Sequence, residues 1–271
     1  MFKNKLVLLT LFFIILVALA GVFPWLFTRY KPEEINLAQT FAPPSAKHLF
    51  GTDDFGRDVF TRILYGSRVS LTIGLIAVFI SVSIGTCYGA ISGYFGGIID
   101  EVLMRFVDIM LSFPSIFLIL SVQAMLKPNI FNVMVVIGLT SWMGVARLVR
   151  GQFLSLKERL FVEAERALGA ADVEIIFRHI LPQALTPVIV AATMGLGGAI
   201  LTESALSFLG LGVQPPDASW GSMLQNALDY LIQTPWLAIF PGLFIFLTVM
   251  AFNYLGETMR VWLNPKEDLV R

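Results

Sequence analysis

Six apolar runs, parted by short polar stretches, leave this chain few ways to fold. Leu6 to Phe27, Val69 to Phe95, Phe106 to Leu126, Phe131 to about Ala146, about Leu185 to Thr202 and about Leu237 to Leu255 contain a single charge, Asp108. Crossing a bilayer takes roughly 20 apolar residues. Inside lipid each backbone N–H and C=O must find a partner within the protein, and an unbroken apolar run of this length does so as a helix. The expected class is an all-α polytopic membrane protein with six transmembrane helices. Composition agrees, with 56% apolar and 14% charged residues, against about 25% charged in soluble chains. Net charge is zero, so no global field draws nucleic acid. The lone Cys87 excludes a disulfide framework and reads as a structural, lipid-buried thiol.

Taken in order, the first run follows Lys3 and Lys5, and Gly21-Val22-Phe23-Pro24-Trp25 makes a poor signal cleavage site, so a retained span is expected. Residues 28–68 turn polar. Gly51-Thr52-Asp53-Asp54-Phe55-Gly56-Arg57-Asp58 lacks the ligand order and closing Glu of a calcium loop, which favours caps and salt-bridged turns. In the second span Ala77, Ser81, Gly85, Gly89, Gly93 and Gly97 recur every fourth residue. Small side chains at that interval let a neighbouring helix come close. Asp100, Glu101 and Arg105 mark a turn, Ser112-Phe113-Pro114 predicts a kink in the third span, and Lys127-Pro128-Asn129 reads as a tight connection. Glu203 sits near the far end of the fifth span and, with Thr193 and Thr202, is a candidate pathway residue. A buried structural acceptor is the equal alternative for Glu203. Residues 204–236 are rich in Gly and Pro, with a short helix bearing Trp220, Met223, Leu224, Ala227, Leu228 and Leu231 on one face, expected to lie along the outer surface. His48 and His179 read as surface or locally hydrogen-bonded histidines. The divisions are residues 1–68, a core over 69–260 and a charged tail over 261–271.

Between spans four and five lies SLKERLFVEAERALGAADVEIIFRHILP, Ser155 to Pro182. Ser155 and Glu158 have capping-box spacing, so a helix is expected to begin there. Leu160, Phe161, Ala164, Ala167 and Leu168 share one face, Gly169 supplies the left-handed helix end, and Asp172 caps a second helix. Val173, Ile176, Phe177, Ile180 and Leu181 form its stripe, and Pro182 cuts or kinks it. An amphipathic pair resting on lipid headgroups would show the same periodicity. Twelve Lys and Arg fall on the side of this bracket and the termini, and seven on the other. The positive-inside rule therefore makes the bracket and both termini cytoplasmic.

Glu163-Ala164-Glu165, three residues, Gly169, eleven residues, Leu181-Pro182 resembles the EAA loop of ABC importer permeases. Glu165 and His179 depart from its E-A-A and I-x-L-P. The segments Gly51 to Asp58, Leu64 to Arg68, Gly93 to Gly97, Val102 to Arg105, Arg147 to Gly151, Arg178 to Pro182 and Leu206 to Pro216 are similar, in order, to the C-type permease subunit of dipeptide, oligopeptide and nickel importers. The resemblance implies a type I importer fold in the inner membrane of a prokaryote. Its implied partners are a homologous B-type permease, two ATP-binding cassette subunits and an extracytoplasmic binding protein. Glu163, Ala164, Gly169, Ala170, Leu181 and Pro182 would couple the ATPase, with Gly85, Gly89 and Gly93 packing helices. Peptides are the favoured cargo, with nickel, a metal chelate or glutathione the alternatives. No phosphate-cradling G-x-x-x-x-G-K-[ST] is present, so ATP and Mg belong to the partners and this chain is expected to bind no cofactor and catalyse nothing. A secondary transporter would show coupling charges within its spans, and an intramembrane enzyme would show paired catalytic groups.

Overall fold

The computed structural model describes residues 2–126 and 129–263. The connection at Lys127-Pro128 and the tail from residue 264 onward lie outside the described residues. Among those described there is helix and loop, with one isolated bridge between Thr52 and Asp58 and no named strand. Among the described residues five helices are long and apolar enough to cross a membrane, or six if one bent pair counts as a single span.

Helix α1 (Phe2–Val22) ends before the apolar run does, because Pro24 has no N–H to continue the ladder. Helix α2 (Val59–Phe95) starts ten residues ahead of the expected Val69, so the 68/69 division falls inside it. Asp58 is the reason: its Oδ2 accepts from the Thr61 amide at 2.8 Å and the Thr61 hydroxyl at 2.7 Å, an N-cap worth about 1 kcal/mol. Hydropathy misses this turn because Arg62 looks solvated. It is buried, its Nε 3.6 Å from Asp53. At about 1.5 Å per residue α2 is a rod of roughly 55 Å, well beyond the roughly 30 Å of hydrocarbon.

The loop before α2 is tied by side chains. Asp53 accepts from Arg57 at 2.7 Å, while burial, and then the neighbouring Asp53 carboxylate, raises the Asp54 pKa above its ordinary value. His48 is not on the surface. It is 5% exposed, with Nδ1 2.9 Å from Asp58 and Nε2 3.0 Å from Gln39.

Gly96 and Gly97, at φ +66° and +54°, turn the chain from α2 into α3 (Gly97–Ser112). The charges placed in a turn by sequence, Asp100, Glu101 and Arg105, therefore ride on a helix. The expected kink at Pro114 is an 82° break between α3 and α4 (Ser115–Met125). Helix α5 (Ile130–Leu156) outruns its apolar stretch by ten residues, because Arg147 and Arg150 pair with Asp108 and Asp100 on α3 instead of ending it. Arg150 grips Asp100 with two nitrogens, at 2.5 and 2.6 Å.

The bracket itself holds α6 (Leu160–Ala167), α7 (Asp172–Glu174) and a π-helical turn (Ile175–Ile180) and leads into α8 (Leu181–Phe208), the last three forming one apolar rod. Helix α9 (Trp220–Ala227) is more enclosed than its short amphipathic pattern suggests. It is wedged against α2, α8 and α10 (Trp236–Leu263), with Trp220 fully buried and its Nε1 donating to the Ile63 carbonyl at 3.1 Å. Ser219 and Ser222 close a capping box at its start.

Helix α2 is the hub on which α1, α5 and α8 pack. Its small-residue strip faces α5, and it stops at Gly93, since Gly97 is exposed and already belongs to α3. A Cβ at Gly85 would come within 2.6 Å of the Val145 Cβ, and one at Gly93 within 2.6 Å of the Phe153 Cβ. Cys87 is not buried in the protein but exposed on the outside of α2.

Candidate functional site at the elbow

The bracket forms an elbow, though not from the residues its periodicity suggested. Ser155 and Glu158 make no cap. Ser155 is still within α5, Lys157 ends that helix, and Arg159, extended at φ −82° and ψ 146°, precedes α6. Gly169 ends α6 as expected, at φ +85°. Its amide donates to the Arg166 carbonyl and the Ala170 amide to the Glu165 carbonyl, both at 3.0 Å, a Schellman closure that occupies two orphan acceptors. Asp172 is no N-cap either. Ala171 holds that position, and Asp172 Oδ1 accepts the Tyr94 hydroxyl at 2.5 Å.

Four of the five residues of the expected stripe point outward, while Phe161 is partly buried against the core. Leu160 and Leu168 are 83% and 82% exposed, Ala164 and Ala167 lie exposed between them and Glu163 projects beside them. Val162, outside the expected stripe, is the residue buried against Val149 and Phe153. The second limb divides in the same way: Val173 and Phe177 are exposed, while Ile175 and Ile180 are fully buried. Ile175 escaped the 3.6-residue pattern because the limb is π-helical there, the Leu181 amide bonding back to the Ile176 carbonyl. An i→i+5 turn shifts every later residue around the axis. It also delivers Pro182, which lacks an N–H, to the first turn of α8, so the rod passes through without being cut. Ala170 and Leu181 are partly buried against the same core, and Pro182 is exposed.

The two positions that depart from the E-A-A and I-x-L-P pattern meet: His179 Nε2 stands 3.7 Å from Glu165 Oε1, across the two limbs. Tyr94 was not singled out by sequence, although its Gly-Tyr-Phe-Gly-Gly context was. Its buried ring carries the Arg166 guanidinium 5.7 Å above its centre.

The pathway candidates part company. Thr202 lines two open grooves of about 360 Å³ each, one between α2, α5 and α8 and one beside the α3–α4 break, which also share Ser141 and Gly144. Its hydroxyl donates to the Gly198 carbonyl at 2.9 Å. Thr193 instead bonds the Ile189 carbonyl and contacts Met259 of α10. Glu203 is 0% exposed and lines neither groove. It accepts from Ser207 at 2.7 Å and Ser70 at 3.2 Å, while Ser70 accepts the Trp220 amide at 3.3 Å. The geometry fits the structural acceptor, joining α2, α8 and α9 from within the protein. Among the described residues no group of three or more His, Cys, Asp or Glu could hold a metal ion.

Comparison with known proteins gives a consistent result. The sequence family described as binding-protein-dependent transport system inner membrane component matches residues 85–268. The dipeptide transport system permease DppC of Alkalihalophilus pseudofirmus is 45% identical over 97% of this chain and 87% of its own. The oligopeptide permease OppC of Bacillus subtilis is 41% identical over the same shares. The glutathione permease GsiD of Pectobacterium atrosepticum is 41% identical over 94% of this chain and 85% of its own. In fold, the chain resembles a subunit of the inward-facing MetNI methionine ABC transporter, with TM-score 0.59 at 21% identity over 74% of this chain and 95% of that one.

Proposed function

This chain belongs to the family of binding-protein-dependent transport system inner membrane components, and on that premise we propose that it forms half of the membrane pathway of an ATP-driven importer of short peptides. The outward face of the elbow carries the reading. Leu160 opens α6 and Leu168 follows its end, both exposed at the end of the molecule where α2 and α5 finish, with Glu163 exposed on the helix between them. Burying a leucine stabilises a contact by about 1.5–3 kcal/mol, so two such side chains flanking an acid suit a protein groove with a polar rim.

The elbow then faces the cytoplasm, with both termini on the same side. Two ATP-binding subunits seat it and use ATP and Mg, neither of which this chain handles. The loop around His48 and the wedge α9 face outward, where a binding protein hands over its cargo. When ATP closes the motor, the elbow follows and tilts α5 and α8, to which its two ends are joined. The groove bearing Thr202 opens toward a homologous permease. Thr193 and Glu203 serve helix contacts at α10 and α9. Peptides are the cargo read from the dipeptide and oligopeptide relatives, and the glutathione permeases make glutathione, itself a tripeptide, the second reading.

Affinity purification of the tagged chain from its native membrane tests this. An ATP-hydrolysing subunit and a second permease are expected to copurify, and the complex, reconstituted with its binding protein, is expected to accumulate di- and tripeptides on addition of ATP. Uptake driven by an ion gradient, with no ATPase in the preparation, would contradict the proposal.

A further inference from the structure

Tyr94 lies in the last turn of α2, its ring packed with Val149, Phe153, Val162 and Ile175. Its hydroxyl reaches Asp172 at 2.5 Å and its face receives Arg166. Arg166 and Asp172 stand on opposite sides of the Gly169 bend. A single side chain from α2 thus touches both limbs of the elbow, although α2 is joined to neither in sequence. Toward its other end the same helix holds α9, through the Ile63 carbonyl on Trp220 Nε1 at 3.1 Å and through Ser70, which bonds both the Trp220 amide and Glu203. Between these two sets of contacts α2 packs on α5 through Gly85, Gly89 and Gly93, an arrangement with little play in it.

We propose that Tyr94 is a positioning residue that ties α2 to both limbs of the elbow, so that α2 moves with them and carries the motion to the wedge helix α9 at the opposite end. The inference rests on the reading of the elbow as the seat of an ATP-hydrolysing partner, and deepens it. Force would enter the membrane through three helices rather than the two that flank the elbow. Without the hydroxyl the limbs can move while α2 stays behind, and the motor turns over without opening the far end.

The test uses the whole complex in proteoliposomes, with its binding protein and a dipeptide, and reads peptide taken up per ATP hydrolysed. Tyr94→Phe keeps the ring and removes the hydroxyl. Yield and ATP hydrolysis are expected to hold while uptake per ATP falls about tenfold, the scale of one hydrogen bond to a charged acceptor. Asp172→Ala should fall equally, the double variant no further, and Asp172→Asn, which keeps an acceptor oxygen, should restore most of the ratio. A purely structural role would lower yield and leave the ratio intact. Wild-type uptake per ATP in Tyr94→Phe, or losses that multiply in the double variant, would overturn the latch alone. Should Tyr94→Phe fail to assemble, Arg166→Gln on the ring face must lower the ratio for the latch to survive. A wild-type chain that binds no ATPase would overturn the latch together with the importer reading, and is seen separately at purification.

Discussion

Gly89→Leu is expected to stop the chain from accumulating in the membrane, while Gly151→Leu, on the helix that Gly89 faces, accumulates as the wild type does. A Cβ at Gly89 would land on the Ala146 carbonyl oxygen, with the Val149 Cβ at 2.8 Å and the Arg150 amide nitrogen at 3.0 Å. Two of those atoms are α5 backbone, which has no rotamer to relax into, so the helices must separate. Between helices in lipid there is no hydrophobic force to hold a loosened contact, and packing supplies the association. Overpacking costs about 1–3 kcal/mol where side chains can adjust, and a clash with backbone lies at or above the top of that range. Gly151 shows the control: nothing stands within 4 Å of its Cβ position. Immunoblots of membrane fractions at matched expression compare the two. Wild-type levels of Gly89→Leu would mean that α2 and α5 do not meet as described.

Gly169→Val acts at the other scale of the molecule, on the angle of one bend. The position is open, with nothing within 4 Å of a Cβ, so the obstacle is the backbone at φ +85°. A non-glycine residue held in a left-handed conformation costs on the order of 1–3 kcal/mol, and a β-branched one sits at the costly end. The chain can escape by opening the two 3.0 Å bonds that close α6, which re-aims the second limb. At roughly 1.4 kcal/mol per factor of ten, the working elbow is depleted about tenfold or more. Reconstituted Gly169→Val complexes should still hydrolyse ATP and take up peptide at a small fraction of the wild-type rate. Gly169→Asn should retain most transport, because asparagine visits left-handed backbone more readily. Normal uptake by Gly169→Val would remove the bend from the mechanism.

Much of this architecture was legible in the chain because lipid leaves few options for an uncharged run. The small-residue strip of α2 and the break at Pro114 follow from local chemistry that no neighbour overrides. Helix ends were harder, since hydropathy reads Arg62, Arg147 and Arg150 as solvated when Asp53, Asp108 and Asp100 keep them helical. The elbow shows the limit of periodicity most clearly. An amphipathic stripe says that a face will be covered, not by what, and here the stripe, Phe161 excepted, turns away from the chain's own core. A π-helical turn then changes the period itself, which hid Ile175. Glu203 and α9 depended on partners more than a hundred residues away, Ser70 and Ile63, and nothing local announces such pairings.

Crosslinking at Leu168 tests the elbow's role most directly. With Cys87→Ser removing the native thiol, a cysteine at the exposed Leu168 position in isolated membranes is expected to give a short thiol-to-amine crosslink to the ATP-hydrolysing subunit. A cysteine at the exposed Phe79 position of α2 should give none. Leu168→Cys that crosslinks to no ATPase, or that in intact cells is labelled by a membrane-impermeant thiol reagent, would contradict the account.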